Sequence, residues 1–270
     1  MKSLKNWLLV LSVLSCFGCS SPVHEDGRGC AFVSDSIQYR VEFMSEGCVR
    51  ILSFPEGDTL VTKRLVVDSE KPAFKDYKWK DTGQQLIFST RELSVVFDKE
   101  DAAFTFQEVS TGKLLLKEKE AKKARHFKRS VAGGEQCLEV TQRFVPTDDE
   151  AIYGLGQYQN GIMNYRGKSV LLLQANMDIV NPFLISTNGY GILWDNYSST
   201  KFEDTKEGYS FTSEVGDASD YYFVYGKNMD EVVAGYRELT GDVPMFGKWV
   251  YGFWQSKERY KSCLLYTSPS

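Results

Sequence analysis

The chain has 270 residues, enough for one large domain or slightly more, with 32 lysines and arginines against 36 aspartates and glutamates. The net charge of −4 is small and no basic stripe runs along the sequence, so nucleic acid is not an expected partner. Aromatic residues make up 14% of the chain, a content that suits β-sheet cores first and sugar-stacking surfaces second.

The N-terminus has the organisation of an export signal. Lysines at positions 2 and 5 precede an apolar run from Trp7 to Leu14, far shorter than the ~20 residues of a membrane-spanning helix. The residues ahead of Cys19 resemble a bacterial lipoprotein cleavage box, in which the cysteine receives lipid; the alternative is an ordinary secretory signal cleaved near position 20. We expect residues 1–19 to be a lipoprotein signal peptide and Cys19 to be lipidated. The product would be an exported outer-membrane lipoprotein on the periplasmic or cell-surface side.

Cysteine and histidine usage argues against a metal site. His24 and His126 are the only histidines, which disfavours histidine-based triads and histidine-rich metal sites. If Cys19 is lipidated, Cys30, Cys48 and Cys137 allow at most one disulfide and no zinc cluster. No metal and no cofactor are expected.

Alternation of apolar and polar residues predicts strands along the first half of the chain. The clearest run is 37–43, and similar runs follow at 49–54, 86–89, 93–97, 104–109 and 138–144, with turn-forming segments between them. Short strands without intervening helices predict an antiparallel β-sandwich. The charged run 117–129 is expected to be a solvated hairpin or edge strand rather than a basic binding patch.

The second half continues the β pattern and then changes period. "NPFLISTNGYGILWDN" predicts a hairpin that turns at Asn188 and Gly189, and "DYYFVYG" predicts a further strand. Residues 228–241 then predict a helix, with Asn228 and Glu231 as a capping box and Gly241 at its end. The following "KWVYGFWQS" predicts an apolar, aromatic strand.

Motifs that carry chemistry are scarce. "GLGQYQNG" lacks the residues and spacing of a phosphate-binding loop and predicts a glycine-rich turn. Glu214, Asp217 and Asp220 form the densest carboxylate cluster beside apolar strands. Such a pair could serve a retaining glycosidase, but a loop that enters a strand is expected to solvate its acidic residues.

Several segments together carry a resemblance to a known family. "YGLGQYQNG", "NPFLISTNGYGILWDN", "YYFVYG", "MDEVVAGYRELTG" and "WVYGFWQSKERY" stand in the order seen in glycoside hydrolase family 31. The resemblance implies a mainly β chain: a galactose-mutarotase-like antiparallel sandwich over 20–241, which includes a linker helix, then the first strand of a truncated (β/α)8 barrel over 242–262. "GFWQSKERY" is most similar to the α-xylosidase branch that acts on xyloglucan side chains.

The family resemblance also implies where the chemistry lies. Members perform retaining hydrolysis with two aspartates on later barrel strands, and neither motif has a matching position here, so no catalytic residue is assigned and the chain alone is expected to be inactive. The loop around Gln174 and Asn176 resembles one that reaches the barrel mouth and contacts the leaving-group sugar. Glu258 resembles a position near the glycone.

The C-terminal residues 263–270 do not fit the family pattern. "CLLYTSPS" can be back-translated to a transposase adapter sequence used in library preparation, so this segment is expected to be an artefact at the end of a truncated fragment.

The leading hypothesis is therefore the N-terminal part of an exo-acting α-glycosidase whose partner is an oligosaccharide. An α-xylosidase acting on xyloglucan-type oligosaccharides is favoured, with an α-glucosidase as the alternative within the family. A non-catalytic glycan-binding β-sandwich lipoprotein is the alternative from another class, but it leaves the helix and "WVYGFWQSKERY" without an explanation.

Overall fold

The computed structural model describes residues 23–58, 65–68, 72–120 and 125–254. The predictions for residues 1–19, Cys19, Glu258 and 263–270 lie outside these ranges. Within them the chain forms eighteen strands, one α-helix (α1, Met229–Thr240) and one 3₁₀ turn (Lys248–Tyr251). The strands are β1 His24–Glu25, β2 Cys30–Ser34, β3 Ile37–Phe43, β4 Cys48–Pro55, β5 Lys78–Asp81, β6 Gln85–Ser89, β7 Leu93–Asp98, β8 Ala103–Glu108, β9 Leu114–Glu118, β10 Arg125–Ala132, β11 Glu135–Val145, β12 Ile152–Gln157, β13 Ser169–Leu172, β14 Ile179–Ser186, β15 Tyr190–Trp194, β16 Thr200–Thr205, β17 Gly208–Gly216 and β18 Ser219–Tyr225.

These strands form two antiparallel sheets. The first sheet has the order β1-β2-β3-β4-β18-β15-β14-β12. The second has the order β13-β16-β17-β11-β9-β8-β7-β6-β5, with β10 paired to β11. The predicted mainly β antiparallel sandwich is confirmed.

Aromatic side chains fill the space between the sheets. Phe106 of the second sheet stacks on Phe223 of the first, with ring centroids 4.1 Å apart. Phe144 meets Tyr221 edge to face at 5.1 Å. Aromatic pairs of this kind stabilise a fold beyond the contribution of the surface area that each ring buries. Much of the high aromatic content is therefore explained by the core.

The predicted hairpin and helix are both formed. Residues of β14 and β15 pair from Phe183↔Leu193 to Ser186↔Tyr190, and Gly189 takes the positive φ of 91° that the turn requires. At the start of α1 the side chain of Asn228 accepts a hydrogen bond from the Glu231 amide at 2.9 Å.

Helix α1 packs on the outer face of the first sheet. Val232 and Leu239 are buried there, and Tyr236 stacks on Phe183 with centroids 4.2 Å apart. A Cβ on Gly235 would lie 2.6 Å from the Val224 side chain, so the helix approaches the sheet closely. The residues that follow the sandwich are therefore connected to it through a tightly packed helix.

The strand predicted for "KWVYGFWQS" is wrong over its described part. Residues Lys248–Tyr251 form a 3₁₀ turn, and Trp249, Phe253 and Trp254 are exposed. A barrel strand is defined by hydrogen bonds to strands on both sides, and the described residues supply no such neighbours here. The start of a barrel at 242–262 stays a prediction.

The charged run 117–129 is only partly solvated. Strand β10 pairs with β11 alone among the described strands and most of its side chains are accessible, as expected of an edge. Glu118 and Arg125, however, are buried. The predicted edge strand is formed, and the predicted solvation is wrong only at Glu118 and Arg125, which pair with each other inside the sandwich.

Candidate functional site

A closed loop joins β13 to β14 at one edge of the first sheet. The Gln174 side chain donates from Nε2 to the carbonyl of Asp178 at 2.8 Å and accepts from the amide of Val180 at Oε1 at 3.1 Å. The Asp178 amide in turn donates to the carbonyl of Ala175 at 3.3 Å. Gln174 thus fixes the shape of the loop from within.

The tip of this loop presents Asn176 and Met177. Met177 has a φ of 69°, which is uncommon for a residue with a side chain, and it is 65% exposed. Asn176 is exposed, and its side-chain amide makes no hydrogen bond to another described residue. The amide of Asn176 is therefore accessible to solvent on a loop that Gln174 closes.

A second loop lies beside the first because β12 pairs with β14. Gly154, Leu155 and Gly156 all have positive φ, and the pairing shifts register between the two glycines. A Cβ on Gly156 would lie 2.1 Å from the carbonyl oxygen of Ile179, so only glycine fits. The first half of "GLGQYQNG" therefore forms a bulged part of β12, and the predicted glycine-rich turn is wrong over these residues because they pair with β14.

We call residues 157–163 and 173–179 the loop edge. Its exposed side chains are amides and apolar groups, and the half-buried Tyr158 and Asp178 add a hydroxyl and a carboxylate. The exposed members are Gln157, Gln159, Asn160, Gly161, Met163, Leu173, Gln174, Ala175, Asn176, Met177 and Ile179.

The structure places Gln174 and Asn176 in one loop with different surroundings. The amide oxygen and nitrogen of Gln174 both bond within the loop, whereas Asn176 is exposed. Contact of either residue with substrate stays a prediction, as does the role of Glu258. Sequence reasoning missed that Gln157 pairs with Ile179 at the end of this loop, although two glycines flanking Leu155 signalled a bulge.

Two members of the predicted acidic cluster have different partners. Asp220 accepts a hydrogen bond from Nε of Arg50 at 2.8 Å, and Glu214 accepts one from the Ser199 hydroxyl at 3.2 Å. Burial acts to lower the pKa of Arg50, but Asp220, Tyr222 and Glu42 together outweigh it and the pKa is raised. Asp220 is therefore the ion-pair partner of a buried arginine.

The described ranges contain no group of three or more histidine, cysteine, aspartate or glutamate side chains that could hold a metal ion. Cys30, Cys48 and Cys137 are free thiols. Over the same ranges, no helix has the length and apolar character needed to cross a membrane.

The architecture defines the class first: a sandwich of two antiparallel sheets with one helix packed on its outer face. A family model described as the glycosyl hydrolase 31 N-terminal galactose mutarotase-like domain matches residues 38–203. The chain belongs to glycoside hydrolase family 31, and the family predicted from the sequence is confirmed.

Named relatives agree with this assignment. An α-xylosidase of Saccharolobus solfataricus is 37% identical over 242 residues, which cover 84% of this chain and 31% of that enzyme. A family 31 α-xylosidase from a soil metagenome, solved with xylose, superposes with a TM-score of 0.76 at 25% identity and covers 90% of this chain and 38% of its own. The Xanthomonas citri family 31 α-xylosidase gives a TM-score of 0.78 at 23% identity, covering 89% and 42%, and supports the fold.

The chain spans only about a third of the length of the Saccharolobus relative. The family model that matches residues 38–203 describes an N-terminal domain.

Proposed function

We propose that this chain is the N-terminal portion of a retaining, exo-acting α-xylosidase that removes xylose from xyloglucan-type oligosaccharides. The observation that carries the proposal is the loop edge, where an available amide stands on a loop closed by Gln174. The α-xylosidases among the relatives support xylose as the sugar. An α-glucosidase specificity is the alternative, since a Bacillus thermoamyloliquefaciens α-glucosidase is 28% identical over 251 residues.

In this proposal the loop acts on the leaving-group side of the scissile bond. The Asn176 amide can both donate to and accept from sugar hydroxyls, and Gln174 is a positioning residue. Glu258 would stand near the glycone. The two aspartates that perform the chemistry would be supplied by later barrel strands, so the chain alone would not hydrolyse glycosides.

The leaving-group role can be tested in the full-length protein by comparing two substrates. Asn176→Ala should lower kcat/KM about tenfold on a xylosyl-glucose disaccharide, equivalent to one hydrogen bond of about 1.4 kcal/mol. It should leave 4-nitrophenyl α-xyloside within about twofold, because that leaving group has no sugar hydroxyls to contact. Gln84→Ala, an exposed amide between β5 and β6 in the second sheet, is the matched control. Equal losses on both substrates would contradict the role.

We also propose that the protein is an exported lipoprotein anchored through Cys19 to the outer membrane. The support is the charge and hydropathy pattern of residues 1–19. Metabolic labelling with a radioactive fatty acid should mark the wild type and not Cys19→Ser, and labelling of both would overturn the assignment.

A further inference from the structure

A charged cavity lies on the outer face of the first sheet, away from the loop edge. Residues that alternate with the core positions of β3 and β4 point outward here, and the cavity holds about 310 Å³. That volume is at the lower end of the range for small-molecule sites, about 300–1,000 Å³. Its lining comprises Asp26, Arg28, Gln38, Arg40, Glu42, Arg50, Leu52 and Phe54.

Ion pairs hold the lining side chains in place. Glu42 accepts from Nε of Arg40 at 2.7 Å and from Nη1 of Arg50 at 3.0 Å. Arg40 also donates to Asp26 at 2.6 Å, and Arg50 donates to Asp220 at 2.8 Å. Arg50 and Glu42 are only 2% and 3% exposed. Because the groups fix one another, a ligand would not have to order them on binding.

The charge balance of this cluster selects the class of ligand. Three guanidiniums stand with three carboxylates once Asp220, the partner of Arg50, is included. A site with no net charge gives little preference to a phosphate or a cation. Guanidinium N–H groups and carboxylate oxygens together match hydroxyl groups, which accept from the first and donate to the second.

The remaining lining is apolar and polar together. Leu52 and Phe54, 2% and 7% exposed, form an apolar base beneath the charged groups. Arg28 and Gln38 line the cavity without a side-chain hydrogen bond to another described residue, so their donors are available.

We propose that this cavity is a secondary saccharide site, which binds one sugar unit of a longer glycan. Strand β14 lies three strand spacings from β4, about 14 Å at roughly 4.8 Å each, so the cavity is separate from the loop edge. The cavity can hold a glycan whether or not the loop edge contacts the leaving group, so the proposal does not rest on the proposed function.

The test is a calorimetric titration of the full chain with xyloglucan heptasaccharide. Arg28→Ala/Gln38→Ala should weaken binding at least tenfold, whereas Asn176→Ala should change it less than twofold. In a nitrogen-15-labelled protein, the NMR signal of the Gln38 side-chain amide should shift during the titration. Because both mutated residues are accessible and outside the ion-pair network, the urea midpoint of the double variant should match the wild type.

Other outcomes overturn the proposal. These are absence of saturable binding, retained binding in the double variant with loss in Asn176→Ala, or displacement of the heptasaccharide by equimolar inorganic phosphate. The second outcome would place the glycan at the loop edge and leave the proposed function intact. If Asn176→Ala instead affected hydrolysis of both substrates equally, the proposed leaving-group role would be wrong. The saccharide-site proposal would be unaffected.

Discussion

The carboxylate of Glu118 and the guanidinium of Arg125 form an ion pair in the interior of the sandwich. Glu118 also accepts from the hydroxyl of Tyr221 at 2.7 Å, and Arg125 donates to the hydroxyl of Tyr39 at 3.1 Å. Both tyrosines belong to the first sheet and both charged residues to the second, so the pair ties the two sheets together. Burial and the neighbouring Glu118 charge raise the pKa of Tyr221 well above its usual value, which keeps this hydroxyl a donor.

Removing one member of this pair should be costly. Arg125→Ala leaves the Glu118 carboxylate buried without its cation, and we expect the free energy of unfolding to fall by about 3–5 kcal/mol. Arg129→Ala is the control on the same strand: its side chain is largely exposed and lies 3.4 Å from Asp58, so its loss should be under about 1 kcal/mol. Urea unfolding measures both, and similar small losses would contradict a structural role for the pair.

Asp26 should remain ionised to unusually low pH. The hydrogen bond from the Arg40 side chain lowers the pKa of this carboxyl from 3.8 to about 2. Since the folded-state pKa is depressed, the stabilisation is present above about pH 3.8 and is lost as the pH falls toward about 2. A carbon-detected NMR titration should show a midpoint near 2, and substitution of Arg40 by Gln should return it toward 3.8.

Glu150 should show the opposite dependence. Burial raises the pKa of this carboxyl above 4.5, although the hydroxyls of Ser186 and Tyr190 donate to it. The folded protein therefore favours the protonated form, and the contribution of Glu150 to stability decreases as the pH rises above 4.5. Relative to Glu150→Gln, the wild type should lose unfolding free energy from pH 4.5 upward. A difference that is flat with pH would contradict the raised pKa.

The cap of α1 should be individually measurable. Asn228→Ala removes the acceptor for the Glu231 amide, and such losses destabilise by about 1 kcal/mol. Asn228→Asp keeps an acceptor at the same place and should be nearly neutral. Equal free energies of unfolding for the two variants, measured with urea, would contradict a capping role for Asn228.

Features that depend on neighbouring residues were predictable from the sequence. The turn at Asn188 and Gly189 and the capping box of Asn228 and Glu231 are local, and both are formed. Gln174 and Asn176 share one loop, so their proximity was also visible in the sequence.

Features that depend on distant partners were not predictable. Strand β16 places Asp204 in the interior, where Nε of Arg166 donates to it at 2.9 Å. Because an acidic residue occupies this buried position, the strand lacks the apolar–polar alternation that would have predicted it. The start of the loop at 157–163 lies beside Ile179 only through the β12–β14 pairing. The strand predicted at Trp249 failed for the same reason, since its partners are not among the described residues.

The most direct test of the central claim is a sugar-release assay on the full-length protein and on the 270-residue chain. With a xyloglucan oligosaccharide, the account predicts that the full-length protein releases xylose and that the chain alone releases none. With maltose, the full-length protein should release glucose much more slowly. Release of glucose but not xylose by the full-length protein would contradict the xylosidase proposal, and sugar release by the chain alone would contradict the placement of the catalytic groups outside it.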